Sequence, residues 1–195
     1  MKKYLFILPL LFFAISCTKE TVFNTVNVNE KYSIAIPDYL KPCTDLHADA
    51  SLQYQNPEKD VYAMVIDERK KTMADYDLDY DLDLYYKNIA SQAFIESIKN
   101  GKINPPGRQD IDGHKAYITE ITGNVGGSDV YYRMGIIETP YAFYQILAWT
   151  RAENKEKYMA DMIKTIESFK EIPQPASELP EPKINPDSVT IKLAY

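Results

Sequence analysis

Tyr32, Ile34 and Ile36 alternate with the smaller Ser33 and Ala35, and Pro37-Asp38 stops the run, which predicts a strand and a turn. Residues 50–55 and 61–68 are two further strand candidates, separated by Asn56-Pro57-Glu58-Lys59-Asp60, which has the chemistry of a hairpin loop. Val61, Ala63 and Val65 on one side and Tyr62, Met64 and Ile66 on the other make the second of these apolar on both faces, the pattern of a central strand. The period then changes. Leu82, Tyr86, Ile89 and Ala93 recur at helical spacing and predict a helix of about five turns, opening in an Asp-rich stretch and stopping at Asn100-Gly101. Pro105-Pro106-Gly107 breaks the chain. Beyond it four strands are predicted, over 108–111, 114–122, 130–138 and 141–150, with turns at Asp112-Gly113, at 124–128 and at Thr139-Pro140. A last helix runs over about 154–170, where Tyr158, Met159, Met162, Ile166 and Phe169 share a face, and Pro173 ends it.

Sequential strands joined by short turns must be mostly antiparallel. The order strands, helix, strands, helix therefore predicts one α+β domain over residues 30–172, a mostly antiparallel sheet of about six to seven strands covered by two main helices. A chain of 195 residues has room for one such core, and no repeat of domain size is visible. Three stretches carry a resemblance. Tyr32-Ser33-Ile34-Ala35-Ile36-Pro37 is similar to the opening strand and proline of PsbP/Mog1-like modules, and Ile111-Asp112-Gly113-His114-Lys115-Ala116 to their I-D-G-x-x-A turn. Residues 141–150 followed by Tyr158 to Phe169 resemble their closing strand and helix. The resemblance implies an α/β/α sandwich. Members of that fold are mostly non-enzymatic accessory or assembly proteins, so it implies a binding role and carries over no active-site residue.

The N-terminus has its own pattern. Met1-Lys2-Lys3 is a short basic start, and Tyr4 to Ile15 is an apolar run of 12 residues. A spanning helix needs about 20, so the run matches a signal-peptide core instead. Ala14-Ile15-Ser16-Cys17 resembles the lipobox of bacterial lipoproteins, with Ala14 where Leu is usual. That resemblance implies removal of residues 1–16, acylation of Cys17 on its sulfur and amine by palmitate-like chains, and a membrane partner reached through the lipid. An ordinary secretory signal with a chance Cys is the alternative. Thr18, not Asp, follows the Cys, which by resemblance to lipoprotein sorting rules implies the outer rather than the inner membrane. Residues 17–29 read as a tether.

Composition removes several functions. The chain carries 22 Lys and Arg against 28 Asp and Glu, and losing Lys2 and Lys3 makes it more acidic still, so nucleic acid is not an expected partner. Sixteen Tyr and 45% hydrophobic residues exclude a wholly disordered chain. Two Cys exclude a disulfide scaffold and a four-Cys zinc site.

The most conspicuous polar run is Asp75-Tyr76-Asp77-Leu78-Asp79-Tyr80-Asp81-Leu82-Asp83. Asp75, Asp77 and Asp79 are weak candidates for ligands of a hard cation. A calcium loop also needs Gly at its sixth position and Glu at its twelfth; counted from Asp75 these are Tyr80 and Tyr86, and from Asp77 Leu82 and Asn88. The stronger reading places the acids before and within the first turn of a helix, where they cap free N–H groups and complement the dipole. His47 with Asp49 offers two ligands and no third, and His114 follows a turn. There is no G-x-S-x-G elbow and no phosphate-binding glycine loop, so no catalytic residue and no cofactor is assigned. Cys43 is the thiol left over once Cys17 is acylated, and in an oxidising compartment it needs burial or a partner. Tyr131, Tyr132, Tyr141, Tyr144 and Trp149 are either a sugar or peptide platform or, the better fit, rings packed against the helices.

The resulting expectation is a lipid-anchored envelope module that binds a protein partner without catalysis. Its alternative is a hydrolase-like envelope enzyme with a site built from scattered residues. A cleft with converging polar groups and shifted ionisation favours the enzyme, and a filled core favours the module. Residues 173–195 hold five Pro and no Gly, which makes a stiff tail. Its last stretch, Ser188 to Tyr195, alternates Val189, Ile191 and Leu193 with Thr190, Lys192 and Ala194. That strand periodicity predicts pairing with the domain's own sheet edge or with a neighbour's.

Overall fold

Turn residues fall at short intervals between β-branched and aromatic runs, and in the computed structural model, which describes residues 20–181, strands dominate. In chain order they are β1 (Phe23–Val28), β2 (Tyr32–Pro37), β3 (Lys41–Pro42), β4 (Ala50–Asn56), β5 (Val61–Arg69), β6 (Lys99–Ile103), β7 (Gly107–Ile111), β8 (His114–Val125), β9 (Ser128–Glu138), β10 (Ala142–Arg151) and β11 (Lys170–Glu171). Helix α1 (Lys70–Asp75) follows β5, and α2 (Leu82–Tyr86) continues as a π-helix over Lys87–Phe94. Helix α3 (Lys155–Glu167) follows β10. Every strand pair is antiparallel. Eight strands form the main sheet in the order β3-β4-β5-β10-β9-β8, with β6 beside the C-terminal half of β8 and β7 beside its N-terminal half. A second sheet of three strands runs β1-β2-β11.

Side chains on a strand point alternately to opposite faces, so a strand buried on both faces feeds two cores. In β10, Ala142, Tyr144, Ile146 and Ala148 enter the core shared with β2 and α3, together with Tyr32, Ile34, Met162 and Ile166. Phe143 and Leu147 enter the other, with Met73 of α1 and with Leu82 and Tyr85 of α2. On the first face α3 rests directly on β9. A Cβ at Gly135 would stand 2.5 Å from Ile166 Cγ2, so only glycine lets helix and strand approach this closely.

Four features differ from the sequence pattern. Residues 23–28, inside the stretch read as a tether, form β1, paired residue for residue with β2 from Phe23↔Pro37 to Val28↔Tyr32. The turn between them gives both Asn29 and Glu30 positive φ, 48° and 56°, a conformation that Glu does not advertise. The helix that starts at Leu82 keeps α geometry for five residues only and passes into π geometry over Lys87–Phe94, and Asn100-Gly101 is not its stop. Both residues lie in β6, where Asn100 has φ 55° and the pairing with β8 slips between Lys99 and Lys102, so the Asn-Gly chemistry makes a bulge. Helix α1 was not visible as a separate element in the pattern. The strands exceed six to seven because β1 falls in the tether stretch, β6 takes up the Asn-Gly read as a helix stop, and β3 and β11, at two residues each, are too short to show a period.

The start of the Pro-rich stretch lies against the domain. Ile172 N–H donates to Lys31 O at 2.8 Å, the Tyr141 hydroxyl donates to Gln174 O at 2.8 Å, and Arg69 pairs with Glu178. Cys17 with its lipobox-like sequence and the strand-periodic Ser188 to Tyr195 lie outside the described residues.

Candidate functional site

The Asp run is shared among three pieces of structure. Asp75 ends α1, Asp77 turns the chain with φ 58°, and Asp81 caps α2 by accepting Leu84 N–H at 2.8 Å. Asp83, in the first turn of α2, accepts the Tyr117 hydroxyl and two Arg108 N–H bonds at 2.9 and 3.1 Å. The Tyr117 hydrogen bond, aided by Arg108, holds its carboxyl below the usual Asp range. Asp75, Asp77 and Asp79 are not gathered into a ligand set, and among the described residues no three His, Cys, Asp or Glu side chains converge as a metal site.

The histidines are apart and occupied. His47 Nδ1 accepts the Asp49 backbone N–H at 3.2 Å, and His114 Nε2 lies 3.5 Å from Glu171 Oε2. Burial raises the Glu171 carboxyl against the opposing pull of a Thr139 hydrogen bond and of His114. Cys43 is half-buried, and burial with nearby Asp45 pushes its thiol up, away from the thiolate a nucleophile requires.

The five aromatic residues divide by face. Tyr131 and Tyr144 are fully buried on the α3 side. Tyr132 and Trp149 face the other way and continue a ladder from Tyr62, with ring centroids 5.1 and 5.6 Å apart and planes 12° and 27° from parallel. Rings stacked face to face across neighbouring strands turn their edges, not their faces, to solvent, so this ladder is packing and not a flat sugar platform. Phe94 closes on it edge-on, 5.2 Å from Tyr132. Tyr141 is drawn to the tail through Gln174.

The ladder adjoins a cleft of about 570 Å³ between the π-helix and the main sheet. Met64, Ile66 and Leu147 make its floor, and Ile89, Ala93 and Phe94 its helical wall. A π-helix is wider than an α-helix and is often found beside functional sites. Its polar end is a line of three residues from three elements. Gln145 of β10 donates Nε2–H to the Tyr85 hydroxyl at 2.8 Å, and that hydroxyl in turn donates to Glu68 of β5. Tyr85 is held in place by stacking on Phe143, with centroids 4.1 Å apart and planes 8° from parallel. Burial raises the Glu68 carboxyl above the ordinary Glu range; the Tyr85 hydrogen bond offsets part of this and the Asp49 charge adds to it. Asp67, the next residue, pairs with Lys31 at 2.8 Å. Among the described residues Glu68 and Asp49 have no such Lys or Arg partner. A second, wider concavity of about 750 Å³ lies beside α2, where Lys70 and Glu138 neutralise each other at 2.6 Å.

No motif marks Glu68, Tyr85 and Gln145 as a set. The signal available was Gln145, the lone amide in the apolar run 142–148. A buried amide needs a partner, and here the partner leads to a carboxyl.

No family model matches the chain, and no curated protein matches it in sequence. Solved structures do match. CyanoP, the cyanobacterial PsbP of Synechocystis sp. PCC 6803, superposes with a TM-score of 0.55 at 15% identity, over 80% of this chain and 95% of its own. Mog1p of Saccharomyces cerevisiae superposes at 0.52 and 8% identity, over 82% of this chain and 100% of its own. The fold is PsbP/Mog1-like. LpqN of Mycobacterium tuberculosis shares this PsbP/Mog1-like fold at a TM-score of 0.53 and 12% identity, over 73% of this chain and 83% of its own. At such identities the likeness is one of architecture, and the cleft residues of this chain must be read for themselves.

Proposed function

We propose that the chain is a lipid-anchored accessory module of the bacterial cell envelope, facing its work by binding and not by catalysis. The observation that carries the anchor is the basic Met1-Lys2-Lys3, the apolar Tyr4 to Ile15 and the lipobox-like Ala14-Ile15-Ser16-Cys17. Two acyl chains on Cys17 would hold the protein stably, since each buried methylene contributes about 0.8 kcal/mol. The binding half of the reading draws support from the fold. LpqN is a protein involved in cell envelope biogenesis, and Mog1p is a Ran-binding protein. Thr18 favours the outer membrane. The test is fractionation: the wild-type chain stays in the membrane pellet through a high-salt wash, and Cys17→Ala moves to the soluble fraction. Retention of Cys17→Ala in the washed pellet overturns the anchor.

An envelope enzyme is the second reading, and Glu68 is the observation in its favour, because a carboxyl raised by burial beside a cleft suits a general acid. The cleft's other reactive groups are engaged elsewhere. Ser97 Oγ donates to Phe94 O at 2.6 Å, and His47 is bound to the Asp49 backbone, so hydroxyl and imidazole are not paired as nucleophile and base. Binding is the better account of this cleft.

A further inference from the structure

We propose that the cleft under the π-helix binds a small amphiphile carrying a protonated amine on an apolar body. The inference is independent of the lipid anchor, because the cleft is built wholly from the folded domain. Its volume of about 570 Å³ lies within the range of small-molecule pockets, roughly 300–1,000 Å³. Met64, Leu147, Ile89 and Phe94 offer a hydrocarbon surface that gains from losing water.

The head group is chosen by charge. Glu68 and Asp49 stand at the polar end with no Lys or Arg partner among the described residues, while their neighbour Asp67 already has Lys31. A half-buried carboxylate is costly until a cation reaches it, and an ammonium donates three hydrogen bonds to such a pair. Tyr85, which does not line the cleft, orients Glu68 through its own hydrogen bond, and Gln145 fixes Tyr85. The carboxyl is thus held in position before the ligand arrives, which lowers the entropy lost on binding. A divalent metal is a poor competitor, since among the described residues His47, Asp49, Asp67 and Glu68 do not converge as a metal site and Asp67 is already held by Lys31. An anionic amphiphile would meet the two carboxylates head-on.

The test is calorimetry on the full chain, purified as Cys17→Ala so that acyl chains stay out of the assay, with decylamine, decanol and decanoate below their aggregation limits. Decylamine is expected to bind one to one and about tenfold or more tighter than the other two, the advantage of a charge-assisted pair. Glu68→Gln keeps the hydrogen bonding of the site and is expected to remove that advantage while leaving decanol unchanged. Ala93→Phe, on the cleft wall, is expected to weaken all three. Glu58→Gln, in the exposed hairpin at the other end of β5, controls for the acidic surface and should change nothing. Melting curves of each variant confirm folding. Equal affinity for decylamine and decanol, equal loss in Glu58→Gln, or no binding of any probe overturns the proposal.

Discussion

The two faces of β10 carry alternate residues of one strand and meet unlike covers. On one side α3 lies regular along the sheet, Gly135 lets it touch β9, and Tyr144, Ile146 and Ile166 are at most 1% exposed. On the other, α2 gives five residues of α-helix and then widens into π geometry, and a cleft remains between it and the strands. The first face closes over its tyrosines, with Tyr32, Tyr131 and Tyr144 fully buried among its aliphatic side chains. The second joins Gln145 and Glu68 of the sheet to Tyr85 of α2 in one hydrogen-bonded line. Packing to completion and leaving room for a ligand are opposed demands, and this fold meets them by assigning one face to each.

Substitutions that delete the same atoms on each face should separate them most. Ile166→Ala on the packed face is expected to cost about 2–5 kcal/mol, the range for emptying a closed core. Ile89→Ala, half-buried on the cleft wall, should cost about 1–2 kcal/mol or less, since water already reaches the site. Urea unfolding of both variants measures the gap, and equal losses would erase the distinction.

Added atoms give the converse, with a smaller effect. Gly135→Ala puts its methyl 2.5 Å from Ile166 Cγ2, and overpacking of this kind costs about 1–3 kcal/mol. For a domain of this size that is a fall of roughly 2–12 °C in Tm. Ala93→Phe points a larger ring at open cleft and should shift the melt by no more than about 0.5 kcal/mol, as surface changes do.

The smallest effect is a dependence on pH. Glu68 holds its proton in the folded chain over a range where the unfolded chain has lost it, because burial raises its native pKa. Stability from this group is therefore full at pH values below the ordinary Glu range and is lost as pH rises through the raised native value. Relative to Glu68→Gln, the wild-type chain should lose stability across that window and run parallel above it. Glu171, also raised by burial, is common to both and cancels in the difference. Unfolding curves between about pH 4 and 8 decide it, and a difference that grows with pH reverses the assignment.

The long strands of the main sheet are readable because their period of two is interrupted by residues suited to turns. Asp112 and Gly113 take φ of 55° and 80°, as a tight hairpin requires. The same chemistry misleads at Asn100-Gly101, where positive φ serves a bulge instead of a helix stop, and is hidden at Asn29-Glu30. Composition at a turn reports the dihedral angle, not the element on either side. The cleft was beyond a linear reading for another reason: Tyr85 and Gln145 are 60 positions apart, and only the pairing of β10 with β5 brings Gln145 beside Ile66 and so near Glu68.

The way β8 is paired bears on how the molecule behaves in a crowd. Twelve residues long, it would offer a neighbour a straight row of open amides if its outer side were bare. Two five-residue strands cover it in succession, with Pro105-Pro106 in the gap, and the first is kinked by its bulge. At the opposite margin the sheet finishes in the two residues Lys41–Pro42, a cation and an imino acid with no N–H to give. Among the described residues a second copy drifting alongside the main sheet meets short, broken or charged rims, so the two margins of this sheet are poor templates for a fibre.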